Sequence, residues 1–312
     1  AQTASPMFST SSQKRRWLFE SPDELDQLRQ DCHTRAVRDF AHRHQLSPAD
    51  AEAQALTQAE ANLLVSQYAT VLVNTCRSFK PDLPPTVTAT AVHYFRRFYL
   101  LHSPMEVHPR DVLFTCLYLA CKVDEFSLSI GQFAENIPRN KEKYVDLILN
   151  SELYLIDKLG FDLIVHAPFR PLEGLLLKAA AALPGSIDLL GRKAVDFVIL
   201  SLTSDAAFLF PPAQIALAAF VDSAEGLGLD AGQFVLGQLC DGDAGSSSKL
   251  MTRIRQLLRD FPVAEGGGGG ASEALRLIDR KLAVCRDPAG DPDSQLFKDR
   301  RARIQEDAGR FL

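Results

Sequence analysis

Two charged residues stand where the surrounding sequence is apolar. Lys122 closes the run Val112-Leu113-Phe114-Thr115-Cys116-Leu117-Tyr118-Leu119-Ala120-Cys121 and is followed by Val123-Asp124-Glu125. Glu152 lies inside Ile148-Leu149-Asn150-Ser151-Glu152-Leu153-Tyr154-Leu155-Ile156. A charge near an apolar face needs a partner, because desolvating it alone is costly. Two readings compete. In one, a snorkelling lysine and an exposed glutamate are satisfied by water or by each other. In the other they form a binding pair for the end of a partner helix. Lys would take backbone carbonyls, Glu would take amides, and neighbouring side chains would supply apolar contact.

No catalytic constellation accompanies them. Gly226-Leu227-Gly228 follows a helical pattern rather than a strand, so it is no dinucleotide loop. Gly245-Ser246-Ser247-Ser248-Lys249 lacks the residue order of a phosphate loop, and Asp241-Gly242-Asp243 lacks the closing Glu of a calcium loop. The six cysteines (Cys32, Cys76, Cys116, Cys121, Cys240, Cys285) form no Cys-x-x-Cys pair, and no His pair lies at metal-ligand spacing. Neither a metal nor any other cofactor is expected, and single cysteines in apolar runs suit a reducing compartment. His93, His108 and His166 read as helix-terminus or core-edge groups rather than acid-base catalysts. A protein that binds is the better expectation.

The elements that must position the two charges are helices. With 46% hydrophobic and 23% charged residues over 312, the chain is core-forming. Its net charge of -5 argues against a general nucleic-acid binder. No apolar run approaches the roughly 20 residues that cross a bilayer, and no secretory pattern opens the chain. Residues 1–20 read as a polar tail with a basic cluster, Lys14-Arg15-Arg16, beside Trp17. Ser21-Pro22-Asp23-Glu24 signals a first helix. Five helical runs follow over 63–79, 87–101, 109–121, 130–137 and 141–159, with proline at most boundaries. After Pro168 the plan repeats over 172–183, 187–204, 212–221, 233–239 and 249–261, with 241–248 as a polar loop. Five glycines, 266–270, make a flexible connector before a last helix over 273–285; residues 296–304 could add another.

Placing Pro211 over Pro109 aligns the two apolar third helices. That register sets Ala224 opposite Lys122 and, continued, Ile254 opposite Glu152. The second repeat would then build the same architecture without either charge, which favours the binding reading and confines the site to the first repeat.

These residues resemble the cyclin family. Leu119 to Glu125 looks like the end of the third helix of a cyclin box, and Glu152 through Leu159-Gly160-Phe161-Asp162 like its fifth helix and exit. Tyr94-Phe95-Arg96-Arg97-Phe98 is similar to the second-helix signature. The branch that partners the cyclin-dependent-kinase-activating kinase matches best. The match rests on Ser11-Ser12-Gln13-Lys14-Arg15 with Trp17, Phe79-Lys80-Pro81, Val107-His108-Pro109-Arg110, Ile164-Val165-His166 through Pro171, and Gln214-Ile215-Ala216-Leu217.

The resemblance implies an all-α fold of two tandem five-helix cyclin-box repeats with extra N- and C-terminal helices. Residues 1–56 would be a tail and helix, 57–162 the first, kinase-binding box and 163–262 the second. Residues 263–312 would be a Gly-rich linker, helix and tail. It implies a non-catalytic regulatory subunit that grips a kinase helix through Lys122, Val123, Glu152, Ile156 and Phe161. The grip would stabilise the kinase state whose regulatory glutamate pairs with the ATP-site lysine. It further implies a RING-finger assembly factor, the TFIIH core, a nuclear location, and neither direct nucleic-acid nor membrane contact. Substrates would be other cyclin-dependent kinases and the RNA polymerase II tail. One stretch departs: Ala61-Asn62-Leu63-Leu64-Val65 stands where substrate-docking cyclins carry Met-Arg-Ala-Ile-Leu, so no recruitment through that groove is expected. The alternatives are a mediator-associated cyclin, a TFIIB-like DNA-binding factor, which would need a basic face and a zinc cluster, and a helical enzyme with an unrecognised site.

Overall fold

The computed structural model describes residues 8–180, 187–261 and 271–299, and among these there is no strand. Before the first repeat come α1 (Ser12–Arg16), α2 (Pro22–His44) and α3 (Pro48–Gln54). The first repeat comprises α4 (Gln58–Ser78), α5 (Pro85–Leu101), α6 (Pro109–Val123), α7 (Ile130–Ala134) and α8 (Lys141–Lys158). The second comprises α9 (Phe169–Ala180), α10 (Ile187–Ser201), a short α11 (Ala206–Leu209), α12 (Pro212–Glu225), α13 (Ala231–Phe234) and α14 (Ala244–Asp260). Last comes α15 (Ala271–Cys285). The expected all-α pair of five-helix repeats is present. The 266–270 glycines, residues 1–7, 181–183 and the tail beyond 299 lie outside the described residues.

The chain divides into two compact units. One holds residues 23–72, 94–161 and 267–312. Its α6 is buried almost all round, from Pro109 to Cys121, as its unbroken apolar run requires. Prolines and side-chain caps set the helix starts. His108 caps α6 through its ring, and Ser129 caps α7 in a reciprocal capping box with Gln132. A separate apolar cluster joins Ala36 and Phe40 of α2, Ala51 of α3, and Ile278, Leu282 and Cys285 of α15 to Leu64 of α4 and Met105, so all three outlying helices dock on this body.

The other unit holds residues 1–22, 73–93 and 162–266. Here α12 occupies the centre and packs on α9, α10 and α14. The residues read as a solvated N-terminal tail are instead built into this unit. Trp17 and Gln13 are buried. The Trp17 indole donates to Asp162 at 2.9 Å, Arg16 pairs with the same carboxylate at 3.1 Å, and Gln13 exchanges two hydrogen bonds with the His166 backbone. The polar loop expected over 241–248 is also corrected: Asp243 caps α14, which starts at Ala244.

The register between repeats shifts by one residue from the sequence expectation. The third helices begin at Pro109 and Pro212, and their preceding residues, His108 and Pro211, lie outside the helix. Both end in a Schellman arrangement. Glu125 (φ 57°) donates to Lys122 O and Phe126 to Cys121 O; Gly228 (φ 74°) donates to Glu225 O and Leu229 to Ala224 O. The fifth helices begin at Lys141 and Ala244, the same displacement. Lys122 therefore answers to Glu225, not Ala224, and Glu152 to Arg255, not Ile254.

Candidate functional site

Lys122 occupies the last turn of α6, where a cation suits the negative helix end. Its backbone carbonyl is taken by the Glu125 amide, and its ammonium meets both carboxylate oxygens of Glu152 on α8 at 2.7 Å. The same ammonium stands 4.8 Å from the Tyr118 ring centroid. Its side chain is 46% exposed and that of Glu152 17%, so the pair sits at the surface with the acid the more enclosed. Of the two readings, the structure shows the charges satisfied by each other.

What surrounds the pair is less ordinary. Leu149 and Leu153 on α8 and Phe161 just beyond it are 53%, 79% and 71% exposed. Val123, next to Lys122, and Ile156, one turn beyond Glu152, are half-buried. Leu149 and Leu153 flank Glu152 on the surface of α8 and Phe161 stands at the helix exit, three large apolar side chains with little reason to face water. The exit of α8 presents the aromatic. Gly160 (φ 60°) donates to Asp157 O and Phe161 to Ile156 O, another Schellman cap. Phe161 then also takes a left-handed backbone (φ 61°), which costs a non-glycine residue about 1–2 kcal/mol. The left-handed backbone leaves the aromatic side chain of Phe161 71% exposed. Lys122 and Glu152 are in contact, and Ile156 and Phe161 are joined through the backbone. The sequence alone does not single out Leu149 and Leu153, because apolar residues of a helical run read as core.

At the equivalent place in the second repeat, Arg255 Nη2 of α14 meets Glu225 Oε1 of α12 at 2.9 Å, with side chains 54% and 41% exposed. The sequence expectation of a repeat without charges is thus corrected: an ion pair is there with its polarity reversed. The apolar collar is not. Thr252, Gln256, Arg259 and Gly226 stand where the first repeat has Leu149, Leu153, Ile156 and Val123. Among the described residues no group of His, Cys, Asp and Glu side chains is arranged to hold a metal ion, and no helix is long and apolar enough to cross a membrane.

Known proteins match across this whole arrangement. The cyclin N-terminal domain model matches residues 42–164 and a cyclin C-terminal domain model matches residues 167–259. Cyclin-H of Xenopus laevis is 39% identical over 229 residues, covering 72% of this chain and 70% of that protein. The probable cyclin-H of Echinococcus multilocularis is 28% identical over 326 residues, 93% of this chain and 95% of that protein. Among solved structures, a chain of the CAK complex from Chaetomium thermophilum bound to ATP-gamma-S superposes with a TM-score of 0.79 at 27% identity. It covers 96% of this chain and 94% of its own. A chain of the yeast TFIIK (Kin28/Ccl1/Tfb3) complex gives 0.59 at 25% identity, over 80% and 98%. With both domains matched in order and a relative of that identity covered over most of its length, the chain belongs to the cyclin family.

Proposed function

We propose that this chain is the regulatory subunit that binds and activates a cyclin-dependent kinase of the kinase-activating class, and that its kinase-facing surface is the Lys122–Glu152 pair with its apolar collar. The carrying observation is that collar: Leu149 and Leu153 are exposed beside Glu152, where the second repeat has Thr252 and Gln256, and Phe161 is exposed at the exit of α8. The likeness to cyclin-H proteins and to a chain of the CAK complex supports the choice of partner.

A partner helix laid on α8 covers Leu149, Leu153 and Phe161, with Val123 and Ile156 at its edge. Lys122 and Glu152 open from each other and take the carbonyls and amides at that helix's end. Because only the active arrangement of the kinase presents its helix this way, binding energy is spent on selecting that state. The chain contributes no group to phosphoryl transfer. A RING-finger assembly factor and the TFIIH core complete the assembly, in the nucleus, and its substrates include other cyclin-dependent kinases and the RNA polymerase II tail.

The test is to mix purified chain with a panel of cyclin-dependent kinases and measure complex formation and phosphorylation of a polymerase-tail peptide. Activation of the kinase-activating kinase is expected. Lys122→Ala and Glu152→Ala are expected to weaken the complex by about tenfold each while helical content stays the same. Full activation by both variants would show that the grip lies elsewhere.

A further inference from the structure

Lys122 has a second neighbour besides Glu152, and it stands on the same helix. Tyr118 precedes Lys122 by four residues on α6, the spacing that sets two side chains on one helical face. The Lys122 ammonium lies over the Tyr118 ring, 4.8 Å from its centroid, within the range of a cation–π contact. The ring is itself held in place. Tyr118 is buried, and its ring meets that of Phe133 on α7 edge to face, with centroids 5.1 Å apart. Phe133 is buried in turn. A partly exposed lysine therefore rests on a ring that the core fixes.

The second repeat supplies the contrast. In the register set by the helix caps, Tyr118 answers to Val221 as Lys122 answers to Glu225. The face of an aromatic ring is electronegative, so it attracts a base and repels an acid. The ring is present where the third helix ends in the base and absent where it ends in the acid. Burial alone does not ask for it, since Val221 fills the equivalent buried position.

From this contact, and from the pairing of ring with base, we infer that Tyr118 is a positioning residue for Lys122 in kinase binding. The inference rests on the kinase-facing reading of the Lys122–Glu152 pair. In the free chain the ring and Glu152 share the ammonium. When a partner helix opens the ion pair, the ring stays with Lys122, because both belong to one helix, a turn apart. The contact also strengthens as the partner excludes water, since a cation–π interaction gains on desolvation. Tyr118 acts through Lys122 and adds to affinity in the complex.

The test uses the full chain, the kinase-activating kinase and a graded ring. Tyr118→Phe is the reference; one, two or three fluorines on that ring withdraw charge from its face with little change in shape. Affinity measured by titration calorimetry is expected to fall stepwise, reaching about fivefold below the reference with three fluorines. In the Lys122→Ala background, where affinity is already lowered, the same series is expected to be flat. Thermal melts confirm that each chain folds, and the two backgrounds compared at the same ring separate packing from charge. Affinity indifferent to fluorination while Lys122 is present, or an equal fall in Lys122→Ala, would overturn the positioning role and leave the grip standing. Full affinity in Lys122→Ala with the natural ring would instead overturn the grip, and this inference with it.

Discussion

The third and fifth helices of the two repeats are tied at the same place by an ion pair, yet the two ties differ in polarity and in company. Lys122–Glu152 has the base on the third helix and exposed leucines beside it; Glu225–Arg255 has the acid there and polar neighbours. A tie that recurs with its sign reversed serves the joint between two helices, for which either order will do. What distinguishes the first repeat is the exposed apolar surface of Leu149 and Leu153, where the second has Thr252 and Gln256. On the proposed reading, the specificity of the site resides more in exposed apolar surface than in the charges that first draw the eye.

Transplanting the second repeat's collar into the first is the severest way to break this comparison. Leu149→Thr with Leu153→Gln copies Thr252 and Gln256. Both leucines are exposed in the free chain, so thermal stability is expected to be unchanged within about 0.5 kcal/mol. Kinase affinity, measured by titration calorimetry, is expected to fall about 100-fold or more, since each buried leucine is worth about 1.5–3 kcal/mol. Retained affinity would return the site to the ion pair. The next test reverses the pair itself. Lys122→Glu with Glu152→Lys gives the first repeat the second's polarity. The internal tie re-forms, and melting is expected within about 1 kcal/mol of wild type. Kinase binding is expected to stay roughly tenfold weaker, because carbonyls and amides at a helix end require a particular order of charge. Recovery of binding in the double reversal would make the pair purely architectural.

Much of this was legible beforehand, for physical reasons that also explain what was not. Prolines and an apolar third helix announce the repeats, because proline opens helices and an all-round apolar helix must be central. The register failed by one residue because Pro211 and Pro212 are adjacent and either can be read as the first helical residue. The left-handed caps at Glu125 and Gly228 settle it, and a non-glycine cap leaves no mark in the sequence. The N-terminal latch was missed because Gln13, Arg16 and Trp17 find their partners at Asp162 and His166, far along the chain. Leu149 and Leu153 lie in an apolar run whose inward and outward faces cannot be told apart by composition.

The starts of the third helices sharpen the contrast at lower energy. α12 begins after Pro211 with no side-chain cap, whereas α6 begins with His108, whose Nδ1 accepts the Arg110 amide at 3.1 Å. That bond requires a neutral ring with its proton on Nε2, 3.6 Å from Asp279. Burial, then the charges of Arg110 and Arg286, lower the His108 pKa to about 3. A folded pKa below the unfolded value of 6.5 means that the unfolded chain takes up the extra proton. Stability from this group is full above about pH 6.5 and declines as pH falls toward 3. Denaturant melts at pH 6.5 and 5 are expected to differ by on the order of 1 kcal/mol less in His108→Asn, which caps without titrating, than in wild type. An unchanged pH dependence would place the proton uptake elsewhere.

The smallest effect is expected at the second tie, and it is the most discriminating about what that tie is for. Glu225→Gln removes a pair whose side chains are both more than 40% exposed. Pairs in that setting contribute roughly 0–1 kcal/mol, so melting is expected to fall by less than about 3 °C. Kinase affinity is expected not to move at all, because no largely exposed apolar side chain flanks Arg255 on α14 as Leu149 and Leu153 flank Glu152. A loss of affinity without a loss of stability would mean that the second repeat also grips a partner, with the order of charge inverted. The collar would then no longer separate the two repeats, and each tie would have to be read as half of a longer docking surface.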